Sequence, residues 1–162
     1  STPSRNMTGL TDVANFTSLT LAGIKEYVRM LRAHLPETKQ PRIAPSGLAW
    51  LLVYEEDPVL WKSLFHQADF IHASPSGTLL QGLTVYHTLF GELPTKDSVL
   101  NGIESLWQRA RMMQHAWEPP NPYPTPEMAA YLYDVAHRIC IDGEKPATFI
   151  DYQHGEVAYE SL

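Results

Sequence analysis

The side chains in this 162-residue chain best equipped for chemistry are its seven histidines: His34, His66, His72, His87, His115, His137 and His154. A metal site needs such ligands to converge, and no two of these form a His-x-x-x-His pair on one helical face. They are dispersed over separate predicted elements, and the lone Cys140 excludes the thiolate-rich zinc patterns. No metal and no cofactor are expected. Arg109 and Arg111 precede His115, and an imidazole general base beside a guanidinium on phosphate would suit cleavage of RNA. Arg–His at this spacing on a helix is common by chance, and no second catalytic group or basic groove accompanies it. Ser74 and Ser76 lie near His72 and His87, yet no Gly-x-Ser-x-Gly elbow follows a strand, and capping of a helix explains Ser76 without chemistry. No Gly-rich phosphate loop occurs. Glu55-Glu56-Asp57 offers neighbouring carboxylates, but a capped turn facing water accounts for them better. The expectation is a protein with no catalytic residue of its own.

Aromatic residues are the next candidates. Trp50, Trp61, Trp107 and Trp117, with Tyr54, Tyr86, Tyr131 and Tyr133, have the rings needed to stack nucleobases, and such sites come with a basic groove. Net charge is −6: residues 1–43 carry six Lys/Arg against three Asp/Glu, and residues 44–162 carry six against fifteen. An acidic body disfavours phosphate backbones, so nucleic acid is not the expected partner. Trp61 and Trp107 are expected to pack between helices. Trp117 and Tyr123, beside the Pro-rich run 119–124, are the candidate partner-binding residues, because aromatics are enriched at interface anchors. The basic stretch Lys25, Arg29, Arg32, Lys39 and Arg42 reads either as a contact for an acidic partner or, preferably, as a solvated helix face.

No uninterrupted run of about 18 apolar residues exists to span a membrane. The polar start Ser1–Asn6 lacks Met and fits either a processed or a trimmed end. One cysteine suits a reducing or disulfide-indifferent compartment.

These residues must be positioned by helices. With 44% hydrophobic and 19% charged residues, the chain is expected to form one domain over 1–162, with an extended N-terminal segment to about residue 18. Leu21, Ile24, Val28, Leu31 and Leu35 recur at helical spacing, and Pro36 closes the run. Ser46 is expected to cap a short helix through Tyr54. Asp57 is expected to cap the next, with Pro58 in its first position, running through Leu64 and Phe65 to Ala68. Ser76 or Gly77 opens a helix broken at Gly91, Asp97 or Ser98 caps a long one through Met113, and Met128, Leu132, Val135 and Ile139 mark another. Residues 147–162 are a weaker last helix, weakened further by Gly155. Strand signals are scarce. The reading is all-α, with about seven helices in antiparallel pairs.

A short phrase precedes three of these helices: Ala44-Pro45-Ser46-Gly47, Ser74-Pro75-Ser76-Gly77 and Thr125-Pro126-Glu127-Met128. Two preceding segments carry Leu60-Trp61 and Leu106-Trp107. This recurrence resembles the pentatricopeptide and tetratricopeptide repeats over roughly residues 20–146, which implies a short right-handed solenoid. The Pro-to-Pro intervals of 30 and 51 residues depart from a regular period of about 35, so the resemblance is to a degenerate array of about three units. That argues against one-base-per-repeat RNA reading and favours a surface for a larger partner. The mass, acidic body and non-Met start are similar to the accessory subunits of euglenozoan mitochondrial F1-ATPase. That resemblance implies a mitochondrial, non-catalytic chain docked outside the F1 α subunit. A single-stranded RNA-binding pentatricopeptide protein and a small helical ribonuclease using Arg109 or Arg111 with His115 are the alternatives; a viral or phage structural protein is a further one.

Overall fold

A computed structural model gives the fold and describes residues 12–102 and 123–156. The helices are α1 (Val13–Arg32), α2 (Ser46–Glu56), α3 (Pro58–Ser63), α4 (Pro75–Phe90), α5 (helical over 96–102) and α6 (Pro126–Cys140), with one 3-10 turn at Glu37–Lys39. Among the described residues there is no strand, only an isolated antiparallel bridge between Phe65 and Ala73. The all-α reading holds. Where the sequence suggests one domain, the chain divides into two compact units: Ala44–Lys145, and the flanking segments up to Ile43 and from Pro146 onward.

In the Ala44–Lys145 unit, the Pro-marked phrase does start helices. Pro75 and Pro126 occupy the first turn, where a missing N–H costs nothing. The hydroxyls of Ser74 and Thr125 just ahead accept from the backbone N–H of Gly77 (3.3 Å) and Met128 (3.2 Å). Asp57 Oδ1 accepts from Val59 and Leu60 N–H at 3.0 and 2.9 Å, with Pro58 behind it. Ser46 and Ser76 are not caps. Both lie inside their helices, where Ser46 Oγ meets Thr84 Oγ1 at 2.6 Å and Ser76 Oγ donates to Met128 Sδ at 3.2 Å. Thr95, rather than Asp97 or Ser98, caps α5, accepting from Ser98 N–H at 3.2 Å.

The core is built where α2, α4 and α6 meet. Leu52 and Val53, Leu80 and Leu83, and Leu132, Val135 and Ile139 are buried there with Leu64. The α6 stripe is the one its spacing dictates. Each fully buried leucine stabilises by about 2 kcal/mol relative to exposure. Helix α6 packs on both α4 and α2, and α2 also packs on α3.

Helix α3 ends at Ser63, short of the expected Ala68. The carbonyls that would continue it are taken by the returning chain: Ser63 O accepts from Ser74 Oγ (2.6 Å) and Leu64 O from Ser74 N–H (2.8 Å). At that crossing a Cβ on Gly77 would lie 2.2 Å from the Leu64 oxygen and 2.8 Å from the Trp50 ring, so this glycine is required for close approach. Gly91 closes α4 in the left-handed region (φ 78°), donating to His87 O.

In the flanking unit, α1 begins at Val13, so the expected extended segment to residue 18 is overturned from Val13 on. Asp12 Oδ1 accepts from Asn15 N–H at 2.8 Å and supplies the start. Residues 147–156 form turns rather than a last helix. They lie along α1: Ser18 Oγ accepts from Ile150 N–H at 3.0 Å, Lys25 pairs with Asp151, and His154 Nδ1 meets Glu26 at 2.8 Å.

Candidate functional site

Helix α1 is amphipathic, and its own unit contacts the polar side while leaving the Lys25 and Arg29 side chains 41% and 58% exposed. At 3.6 residues per turn, Ser18, Lys25 and Arg29 share one face, and the 150–155 segment lies along that side. Phe16, Leu19, Tyr27 and Met30 fall within an arc of roughly 80° on the opposite face. Those four are exposed, Phe16 and Met30 at 53% and Tyr27 at 62%. Of the five apolar positions expected to form the buried stripe, only Val28 is buried, while Ile24 and Leu35 face solvent. The spacing is legible in the sequence. Which face turns inward is decided by the distant 147–156 segment.

On the polar side is a cleft of about 350 Å³ lined by Lys25, Glu26, Arg29, Tyr152 and His154, among others. Glu26 is its hub, accepting from Arg29 Nε (3.0 Å) and Nη2 (2.6 Å) and lying 2.8 Å from His154 Nδ1. The Arg29 guanidinium, with help from His154, holds the Glu26 carboxyl down at about 2. Lys25 is met by Asp151. These charges satisfy one another and clamp the segment to α1. No nucleophile–base pair is assembled among them.

The other candidates are absorbed by structure. Among the described residues no group of three or more His, Cys, Asp or Glu is placed to hold a metal. His72 pairs with Asp69 (2.7 Å) and His137 with Asp142 (3.3 Å), on separate elements. Ser74 is buried and committed to Ser63 O. Glu56 accepts from Tyr131 Oη (2.8 Å) and Arg138 (2.6 Å), while Arg138 also grips Glu144 at 2.7 Å. Burial raises the Cys140 thiol to about 11, which keeps it protonated and poorly reactive. Trp50, Trp61, Tyr54 and Phe65 make edge-to-face contacts at 4.8–5.1 Å, so these rings pack one another.

Tyr123 is half-buried and packs, with Leu79, Val99 and Leu100, around Ala129. Trp117, Trp107, Arg109, Arg111 and His115 lie outside the described residues. No described helix is long and apolar enough to cross a membrane. The chain matches no protein-family model, no curated protein and no solved structure.

Proposed function

We propose that this chain is a non-catalytic accessory subunit that docks onto a larger protein assembly, with the outer face of α1 as a principal contact. The observation that carries this reading is the exposed apolar stripe Phe16–Leu19–Tyr27–Met30 on a helix whose polar side is tied to residues 150–154 of its own unit. A contiguous apolar patch with aromatic members marks an interaction surface on a water-exposed protein. The proline-marked entry to each of α2, α4 and α6 is the feature that a short solenoid of helical hairpins would share. Trp117 and Tyr123 are proposed as further partner-binding residues. The resemblance to F1-ATPase accessory subunits makes the α subunit of mitochondrial F1 the first host to test.

Native affinity purification of the tagged chain from mitochondria tests the reading. Recovery of F1 α and β subunits is the expected result. Migration as a free monomer with neither subunit would overturn it. Tyr27→Glu with Met30→Glu should weaken recovery by about 30-fold, the scale of a lost hot spot, while leaving helicity intact.

A further inference from the structure

We infer a second docking element in the Ala44–Lys145 unit: the tip of loop 64–74, where Phe70 and Ile71 form a rigid apolar anchor for a partner protein's apolar pocket with a basic rim. This rests on the docking reading above and names a contact that α1 does not supply.

The base of the loop is zipped. Phe65 bridges Ala73, His66 N–H donates to His72 O at 2.7 Å, and Ser74 N–H donates to Leu64 O at 2.8 Å. The tip is fixed by Asp69, whose Oδ1 accepts from Ile71 N–H (2.8 Å) and His72 N–H (3.0 Å), while Oδ2 meets His72 Nδ1 at 2.7 Å. Phe70 N–H donates back to His66 O at 2.9 Å. Within this frame Phe70 takes a positive φ of 54°, the only described non-glycine residue to do so, a conformation that L residues other than Asn and Asp rarely hold. Phe70 and Ile71 are 64% and 74% exposed. Local stability alone would favour glycine at 70 and a polar residue at 71. A preformed loop presenting an aromatic and a branched side chain is suited to fill a pocket with little ordering cost.

Charge selects the occupant. No Lys or Arg occurs from Ser63 to Gln81, Asp69 sits at the tip, and residues 44–145 carry six Lys/Arg against twelve Asp/Glu. Anionic membrane surfaces attract basic segments, so a segment without Lys or Arg in a net acidic unit disfavours lipid. It complements Lys or Arg around a protein pocket.

The test places a photoreactive benzoylphenylalanine at Phe70 or, separately, at Tyr27 in the full chain, returned to its native cell extract. A crosslink from position 70 to apolar residues flanked by Lys or Arg on an identified partner chain supports the anchor. Crosslinks from position 27 with none from 70 overturn the anchor and leave the docking reading standing. Crosslinks from neither, with the chain sedimenting as a monomer, overturn both. Flotation with phosphatidylcholine–phosphatidylserine vesicles that is lost in Phe70→Ser, Ile71→Ser overturns it in favour of lipid. Phe70→Gly separates recognition from folding: partner binding should fall at least tenfold while the melting temperature of the free chain stays level or rises. A lower melting temperature would make Phe70 a structural residue and end the proposal.

Discussion

The two compact units differ in how much apolar surface they bury. The Ala44–Lys145 unit is closed by leucine, valine and alanine from α2, α4 and α6, with the part-buried Ser46–Thr84 hydroxyl pair beside them. In the flanking unit Val13 and Val28 are buried, and residues 147–156 are held along α1 by a hydroxyl, one ion pair and a histidine contact, while Phe16, Tyr27 and Met30 are exposed. Apolar burial is worth about 25 cal/mol per Å², whereas exposed ion pairs contribute about 0–1 kcal/mol each. The first unit is therefore stabilised from within. The second leaves an apolar face of α1 exposed, the asymmetry that the proposed docking would use.

The comparison breaks most severely in the core. Leu132, fully buried where α6 meets α2 and α4, should lose about 3–4 kcal/mol on Leu132→Ala, read by urea denaturation. Gly77→Ala comes next, at about 3 kcal/mol, because the new methyl meets a backbone oxygen that cannot step aside. If Gly77→Ala unfolds at the wild-type midpoint, the close crossing of α4 over Leu64 is wrong. Asp57→Ala removes two N–H acceptors at the α3 start and should cost about 1 kcal/mol.

These magnitudes track what was legible in the sequence. Helix starts were readable because a cap is local chemistry: Asp57-Pro58 needs no distant partner, and the α6 stripe needed only its spacing. The loop after α3 was not, because its end is set by Ser74 returning to Ser63 and Leu64. Ser46 and Ser76 look like caps until the facing Thr84 and Met128 are known. Asp12 lay in a polar run where capping and extended structure read alike. The outward face of α1 depends on residues more than a hundred positions away, so periodicity finds the stripe without giving its direction. As for the site, the helical spacing along α1 was legible, whereas Phe70 carried no sequence signal because a positive φ leaves none.

In the flanking unit the expected effects are smaller. Lys25→Met should cost less than about 1 kcal/mol, since the pair with Asp151 is partly exposed. Its signature is local: faster hydrogen exchange along α1, with the amides of α6 unchanged. An equal acceleration in α6 would show that the ion pair matters beyond its own unit.

The smallest and most specific effect is in pH. Glu26 has its carboxyl lowered from an ordinary 4.5 to about 2, chiefly by Arg29 and then by His154. A depressed carboxylate contributes its stabilisation fully above its unfolded value and loses it as pH falls through the folded value. The Glu26 contacts, first with Arg29 on the same helix and then with His154 across to residues 152–155, should therefore hold at pH 5 and above and weaken progressively between about 4.5 and 2. Lys25 and Asp151 pair alongside, so the Glu26 contribution must be isolated. Glu26→Gln does this: exchange of the α1 amides should be faster than wild type at pH 6 and converge with it near pH 2. If the two proteins differ equally at both pH values, the Glu26 charge does not hold the segment, and the contrast between an apolar core and a charge-clamped helix loses its sharpest support.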